Sequence, residues 1–375
     1  MEVEGAKSQS LSLEQDQEKG SQNVGDEHAP HTAHTIDHDS WQQVGLMLVT
    51  SFNCGWILTF SNLIMVPLGW TWGILCLVVV GFYTAYGNWL LAAFHFIDGK
   101  RFIRYRDLMG FTYGKKLYHV TWIFQFLTLL LGNMGFILLG GKALKEINSE
   151  FSDSPLRLQF YIVITGAAYF VFAFFIPTIS AMRNWLGASA ILTLSYIVLL
   201  LIVLVKDGKA NSDKNYEISG SEVRKVFNAF GAISAIIVAN TGGLLLEIQM
   251  FVAPIHETLD TKFLDIKKGM HSGENFKRLF LVRGVFFSGN TLVAAAFPFM
   301  GDFVNLLGSF SLVPLTFMFP SMVFIKVKGK IATREKKAWH WFNIIFSFLL
   351  TIATTISAVR LIVDNIQKYH FFADA

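Results

Sequence analysis

Nine long apolar runs dominate the sequence from residue 42 onward, and they constrain the fold more than any other feature. A helix that crosses the hydrocarbon core of a bilayer needs about 20 mostly apolar residues. In lipid, only helices and closed barrels satisfy every backbone polar group, and these runs are too long and alternate too little to be barrel strands. The sequence therefore predicts nine transmembrane helices. The runs are residues 42–67, 70–96, 117–141, 158–178, 184–205, 227–254, 280–300, 303–325 and 339–363.

The composition agrees with a protein whose main partner is the lipid bilayer. Only 15% of the 375 residues are charged and 53% are hydrophobic, whereas about a quarter of a soluble domain is charged. The two cysteines, Cys54 and Cys76, both lie inside apolar runs. This placement argues against a disulfide framework and against a cysteine-based zinc site.

The first 40 residues differ from the rest of the chain and predict a disordered, acidic, cytosolic tail. They contain nine acidic residues against Lys7 and Lys19, and no apolar run that could build a core or serve as a cleavable signal. Spaced histidines in this tail could bind a metal or sense pH, but a solvated segment is the favoured interpretation. We therefore predict no metal site. These histidines are His28, His31, His34 and His38.

The loop charges orient the predicted helices. Loops on one side of the membrane carry 18 Lys and Arg residues, against 10 in the opposite loops and the C-terminal segment. Basic residues are enriched in cytosolic loops. The asymmetry predicts a cytosolic N-terminus and, because the number of spans is odd, an extracellular C-terminus.

Two of the nine runs contain polar and glycine residues near their middle, where a helix is expected to open. Asn and Gly are poor helix formers, and polar groups at membrane depth are costly enough to suggest function. We expect these residues to bind substrate. They are Ser51, Phe52, Asn53, Cys54 and Gly55 in the first run, and Asn240, Thr241, Gly242 and Gly243 in the sixth.

A pair of interrupted helices at matching positions in the two halves of a chain is typical of inverted-repeat transporters. A break frees N–H groups on one half-helix, which bind a carboxylate, and C=O groups on the other, which bind an ammonium group or a cation. For a single break, glycine-mediated helix packing is an equally good explanation. For the pair, we favour a substrate site.

Two further polar residues are candidates, each with an ordinary alternative. Asn133, in the third run, either faces the same cavity or joins two helices by a hydrogen bond. Glu247 follows the second break and is a candidate for proton coupling if it is buried. If the helix has already reached the membrane surface there, Glu247 is a solvated end residue.

Other membrane-protein classes explain the two breaks less well. The sequence has no HExxH motif, no paired intramembrane aspartates and no nucleophile motif, so we do not expect an enzyme. It also lacks filter-like repeats and an Arg-rich sensor helix, which disfavours a channel. A receptor or a structural membrane protein stays open, because counting spans does not exclude it.

Several stretches resemble the plant proline transporters, a branch of the amino acid/auxin permease family. The resemblance extends from about residue 40 to the end of the chain. The stretches include "MVPLGW" (65–70), "GKRFIRYRDLMGFTYGKKLYHVTW" (99–122), "DGKANSDKNYEISGS" (207–221), "NTGGLLLEIQ" (240–249), "FPFMGDFVNLLGSFSLVPLTF" (297–317) and "KAWHWFNIIFSFLLTIATTISAVRLIV" (337–363).

This resemblance implies an all-α integral membrane protein with the LeuT-like inverted-repeat bundle of the APC superfamily. It also implies proton-driven uptake of proline, with glycine betaine and GABA as related substrates, at the plasma membrane. Within it, the backbone of the two breaks binds the carboxylate and the amine. The resemblance implies no cofactor other than the coupling proton, and no nucleic-acid partner.

The chain departs from the family pattern at one position. Family members have eleven spans, whereas here Gln249 is followed directly by residues that resemble the cytosolic end of the eighth helix. The resemblance thus implies that about 70 residues are missing between Gln249 and Met250, the length of two spans and their connections. The sixth and eighth helices cross in the same direction, so every later loop keeps its side.

On this interpretation the transmembrane domain occupies residues 41–375 and the second repeat is incomplete. The alternative function is a transport-deficient form with only a structural or regulatory role in the membrane. The first repeat is 41–205, the truncated second repeat is 227–325 and the final helix is 339–363.

Overall fold

The computed structural model is almost entirely helical in the residues that it describes. The only strands among them are two pairs of residues that form a short antiparallel hairpin. The described residues are 61–102, 104–152, 154–176, 183–210, 218, 221–240, 252–265, 272–299, 306, 308–365 and 370–372.

The described residues form ten α-helices. The helices are α1 (Ser61–Ala93), α2 (Tyr105–Tyr113), α3 (Lys115–Ser149), α4 (Leu158–Phe175), α5 (Arg183–Ala210), α6 (Glu222–Asn240), α7 (Val252–Phe263), α8 (Gly273–Ala296), α9 (Phe319–Lys328) and α10 (Arg334–Asn365). Strands β1 (Phe96–Ile97) and β2 (Lys100–Arg101) lie between α1 and α2. Two π-helical segments, Gly308–Leu312 and Pro314–Met318, precede α9.

Six helical stretches in the described part of the chain are long and apolar enough to cross a membrane. They coincide with six of the nine predicted runs, which confirms an all-α integral membrane architecture. Helix α5 coincides with the fifth run, and α6 with the first part of the sixth. Most of the first run and residues 241–251 lie outside the described residues, so the count of nine stays a prediction. The six stretches are Leu63–Ala93, Lys115–Ser149, Leu158–Phe175, Gly273–Ala296, Gly308–Lys328 and Arg334–Asp364.

Helix α1 is broken near its start, at Gly69. This residue has φ 70° and ψ 171°, a conformation that glycine adopts without the steric cost of a side chain. Pro67 lies two residues earlier. The break falls in the short gap between the first and second predicted runs, so α1 comprises the end of the first run and the whole of a second helix.

The described helices pack in two groups. Helices α3, α4 and α8 share a core that includes Ile137, Ile162 and Phe287. Helices α1, α6, α9 and α10 pack around the π-helical segments, with Ile237 and Val313 among the buried residues between them. The site described below lies where the second group meets α3.

Helix α7 is fastened to the first group by charged side chains. Asp260 and Arg283 of α8 are both fully buried, and Arg283 Nη2 donates a 2.8 Å hydrogen bond to Asp260 Oδ2. Arg283 also donates to the carbonyl of Ala173 near the end of α4. Glu257 of α7 forms a second, partly buried ion pair with Arg104, which precedes α2. Helix α7 is thereby linked to α8, α4 and the start of α2.

We expect Arg283→Met to lower the free energy of unfolding by about 3–5 kcal/mol, because it leaves the Asp260 carboxylate buried without its main partner. The measurement is thermal or denaturant unfolding of the chain in detergent. Arg278→Met is the matched control on the same helix, since its exposed pair with Glu274 at 3.4 Å contributes at most about 1 kcal/mol. Equal losses of unfolding free energy in the two variants would contradict a special stabilising role for the Asp260–Arg283 pair.

The hairpin that follows α1 is stabilised by His95. Asp98 and Gly99 form its turn with φ values of 51° and 76°, and Arg101 Nε donates a 3.1 Å hydrogen bond to His95 Nε2. This bond requires an unprotonated Nε2. Burial, and next the charge of Arg101, lower the pKa of His95, against a smaller opposing effect of a hydrogen bond between the His95 ring and the backbone of Phe102.

Because the pKa of His95 is lower in the folded chain, its stabilising contribution should be complete above the ordinary histidine pKa of about 6.5 and be lost as the pH falls through the lowered value. We expect amide exchange in residues 96–102, corrected for intrinsic rates, to accelerate below this range. His95→Gln should remove the pH dependence and His119→Gln should not. If the pH dependence of amide exchange is unchanged in His95→Gln, a group other than His95 causes it.

Candidate functional site

The stretch from Gly308 to Lys328 is the most enclosed of the six membrane-crossing stretches. In the apolar 18-residue segment of this stretch, about 61% of the residues are buried inside the protein, compared with 17–33% in the corresponding segments of the other five. It therefore lies at the centre of the described bundle, where a substrate path is expected to run.

The first part of this stretch does not have regular α-helical geometry. Gly308–Leu312 and Pro314–Met318 form wide π-helical turns, which occur often at functional sites. Pro314 has no N–H to donate to the preceding turn. Two backbone carbonyls of the segment meet other elements: Tyr105 Oη donates a 3.0 Å hydrogen bond to the Leu315 carbonyl, and α1 packs against the Thr316 carbonyl at Gly87.

Four hydroxyl groups link this segment to the helices on both sides, and we call them the hydroxyl seam. Ser309 Oγ lies 2.8 Å from Ser234 Oγ of α6, and Ser311 Oγ lies 2.8 Å from Thr128 Oγ1 of α3. The three serines are fully buried. The seam thus connects α6 to α3 through the π-helical segment, and so joins the two helix groups.

Close backbone packing brings the segment against α6. A Cβ added at Gly308 would lie only 2.2 Å from Val238 Cγ2, so only glycine fits at this crossing without displacing its neighbour. Small residues at helix crossings allow such approach in membrane proteins. Ser234 and Ser309 are within hydrogen-bond distance because of this contact.

Asn240 is the predicted site residue that the structure places most clearly. It is the last described residue of α6, half-buried, and its Nδ2 donates a 3.0 Å hydrogen bond to the Ile236 carbonyl. Its Oδ1 faces α1, since a Cβ added at Gly81 would lie 3.3 Å from it. Asn240 therefore lies at the contact between α1 and α6, six residues along α6 from the hydroxyl seam.

Asn133 is buried in α3, with 5% of its surface exposed. Within the described part of the chain, no residue accepts a hydrogen bond from its Nδ2. It follows Thr128 by five residues on the same helix but forms no hydrogen bond with the seam. Both interpretations of Asn133, as a cavity residue and as a packing residue, stay open.

The remaining predicted site residues fall outside the described residues, so their roles stay predictions. The described residues also include no group of three or more His, Cys, Asp or Glu side chains that could hold a metal ion. The undescribed site residues are Ser51, Phe52, Asn53, Cys54, Gly55, Thr241, Gly242, Gly243 and Glu247.

The hydroxyl seam was not among the sites predicted from the sequence. Isolated serines and threonines are frequent in apolar runs, where they often bond to their own helix, as Thr128 does to the Phe124 carbonyl. One signal was available: "GSFSLVP" combines glycine, two alternating serines and proline within a single predicted span. Alternation of this kind is unusual in a regular helix and indicates a departure from it.

Comparison with known proteins identifies the family. The family model described as "Transmembrane amino acid transporter protein" matches residues 37–250 and 236–360. The chain belongs to this family. It is therefore a membrane transporter with amino acids as its substrate class, and not an enzyme.

Similar members of the transmembrane amino acid transporter family come from Arabidopsis thaliana. "GABA transporter 1" is 26% identical over 428 aligned positions, which take in 87% of this chain and 93% of the relative. "Lysine histidine transporter-like 1" is 22% identical, with 82% of this chain and 85% of the relative covered. No solved structure matches the chain.

In this transporter family member, we expect Gly87→Ala to lower the free energy of unfolding by about 1–3 kcal/mol, because its Cβ would lie 2.4 Å from the Thr316 backbone oxygen. The check is the melting temperature in detergent. Gly289→Ala is the matched control, since nothing lies within 4 Å of its added Cβ. It should stabilise α8 by up to about 1 kcal/mol through helix propensity. Effects of the same sign would contradict the packing assignment.

Proposed function

We propose that the chain is a proton-coupled secondary transporter that imports proline and related compatible solutes, among them glycine betaine and GABA. Membership of the transmembrane amino acid transporter family supports the substrate class. The similarity to a protein named "GABA transporter 1" supports a small amino acid as substrate. The stretches that resemble plant proline transporters favour proline.

One observation carries the site assignment: Asn240 lies at the contact between α1 and α6, beside the most enclosed segment of the bundle. The segment "TGG" follows it directly in the sequence. We infer that the backbone after Asn240, together with Ser51–Gly55, binds the substrate carboxylate and amine. Free backbone groups at broken helices suit a zwitterion, because they provide donors and acceptors without net charge.

The packing of the helices fits alternating access. In LeuT-like transporters one helix bundle rocks against the rest around a central site. Here the hydroxyl seam joins the group that contains α1 and α6 to α3 of the other group through the Ser311–Thr128 pair. Two hydroxyls exchange partners at small energetic cost, which suits a contact that has to rearrange during transport. Asn133 and Glu247 are the further candidates for substrate and proton contact.

The location and orientation follow from the same proposal. We place the protein in the plasma membrane, with the N-terminus in the cytosol and the C-terminus outside. The hairpin and α2 then face the cytosol, together with Lys326 and Lys328 at the end of α9. Lys328 Nζ lies 5.4 Å from the ring of Phe94, at the start of the same hairpin. Basic residues gathered at one end of the bundle support this orientation.

A second candidate function is a transport-deficient form with a structural or regulatory role. The family model matches the chain in two pieces that meet at residues 236–250. The alignment to "GABA transporter 1" has 428 positions, more than the 375 residues of the chain, so the relative has residues without a counterpart here. Both observations support a missing internal segment, and the overlap of the two matched pieces supports its position near the proposed junction of Gln249 and Met250.

We expect proteoliposomes containing the chain to accumulate labelled proline when the outside is acidic, and a protonophore to abolish the accumulation. Asn240→Leu should reduce uptake at least tenfold, because an apolar side chain replaces the amide at the α1–α6 contact. Ser195→Leu, on the exposed surface of α5, adds the same side chain away from the site and should transport normally. Normal uptake by Asn240→Leu would overturn the site assignment.

The second candidate is decided by a longer version of the chain. In it, the corresponding helices of the Arabidopsis relative are inserted between Gln249 and Met250. Uptake by the longer version alone would establish the 375-residue chain as transport-deficient, and equal rates would show that the inserted helices are dispensable. Absence of amino acid uptake from both versions would overturn the transport proposal itself.

A further inference from the structure

A cavity of about 300 Å³ lies between the start of α1, the first half of α6 and the end of α10. Its volume is at the lower end of the range for small-molecule sites, about 300–1,000 Å³. Among the described residues, Asn240 does not line it. With the proposed orientation, it opens toward the outside of the cell, because α10 ends there.

Three charged side chains of the described residues line this cavity, and two of them are held in place. The Arg360 guanidinium lies 4.3 Å from the centre of the Phe227 ring, and its Nε lies 3.7 Å from Asp364 Oδ2. Arg224 is the third, and within the described residues it forms no hydrogen bond or ion pair. Among the described lining residues, Arg224 is therefore an uncommitted cation, and Asp364 is a carboxylate whose charge is shared with Arg360.

The inner wall of the cavity reaches the hydroxyl seam. Ser234, which is fully buried, lines the cavity and also lies 2.8 Å from Ser309 of the seam. From Ser234, six residues of α6 lead to Asn240, a distance of about 9 Å along the helix axis. Ser234 in the cavity wall and Asn240 at the predicted central site therefore lie on the same helix.

The rest of the lining is mainly apolar and comes from both neighbouring helices. Leu63 and Pro67 of α1, and Ala358 and Leu361 of α10, contribute to it. A small amino acid has opposite charges on an aliphatic body, so it matches a cavity with a guanidinium, a carboxylate and apolar walls. Guanidinium binds carboxylates in a bidentate geometry, which gives Arg224 the leading role.

We propose that this cavity is an outer binding site that accepts the zwitterionic substrate before it reaches the break in α6. Arg224 binds the carboxylate, and Asp364 attracts the ammonium group. The identity of the ligand rests on the proposed transport function, whereas the site itself rests on the cavity and its charges.

The test is protection of a cysteine at the cavity. Asn228, an exposed residue of the lining, is replaced by Cys in the full chain with Cys54 and Cys76 retained, the protein is placed in nanodiscs, and labelling is followed at residue 228 alone by mass spectrometry of its peptide. Proline should slow labelling by a charged thiosulfonate reagent. In an added Arg224→Gln variant, the proline concentration for half-protection should rise about tenfold or more, as expected for one charge-assisted hydrogen bond.

Two controls lie within two residues of the tested positions. Lys225→Gln removes the same charge as Arg224→Gln, but Lys225 Nζ lies 2.9 Å from Glu222 and the residue does not line the cavity. It should leave half-protection unchanged. A Cys at Val226, which is exposed away from the cavity lining, should be labelled at the same rate with and without proline. Equal basal labelling rates of the Asn228→Cys site in all variants report an intact fold.

The central-site variant separates this proposal from the transport proposal. In Asn240→Leu, protection at residue 228 should persist although uptake is lost. If proline protects Asn228→Cys from labelling but this chain shows no uptake, the result would contradict the transport proposal and support the outer site. If proline, GABA and betaine all fail to protect, or if protection disappears in Asn240→Leu, the outer site is wrong. It is also wrong if phospholipid composition alone controls the labelling rate.

Discussion

Backbone polar groups in a bilayer must find partners within the protein, and this constraint governs the centre of the structure. Where the chain leaves α-helical geometry at Gly308–Leu312 and Pro314–Met318, its carbonyls and side chains have to be enclosed by other helices. The enclosure is visible in the hydrogen bond from Tyr105 to the Leu315 carbonyl and in the tight approach of Gly87 to Thr316. The position of α1, α2 and α6 around this segment follows from that requirement.

The same enclosure gives the protein its polar interior. Hydroxyl pairs at Ser234–Ser309 and Thr128–Ser311 connect helices that belong to different packing groups. Each pair is short and neutral, so its rearrangement does not expose a charge to lipid. Asn240 continues this line of polar groups along α6, and Ser234 connects it to the outer cavity. We infer that substrate passes from the cavity along α6, past Ser234 and Asn240, to the break predicted after Asn240.

Much of this architecture could be predicted from hydropathy, because burial in lipid selects long apolar runs. Six predicted runs coincide with membrane-crossing helices, and the gap between the first two runs contains the break at Gly69. The π-helical turns could not be predicted in this way, since a change in hydrogen-bond register leaves hydropathy unaltered. Helix α7 was also missed, because Asp260 lies in a stretch whose charges are typical of a cytosolic loop, whereas the structure buries Asp260 against Arg283. Asn240 was predicted from its neighbours in the sequence, but its contact with Gly81 required the structure.

The buried pair of Asp260 and Arg283 also constrains how the chain is assembled. Neither charge can enter the apolar interior alone at acceptable cost, so α7 and α8 have to leave the insertion machinery as one neutral unit. Both partners follow the proposed junction at Gln249 and Met250, so this unit does not depend on the residues inferred to be missing. During biosynthesis, α7 and α8 can therefore pair with each other first and then dock onto earlier segments through the carbonyl of Ala173, the Glu257–Arg104 pair and the core shared with α3 and α4.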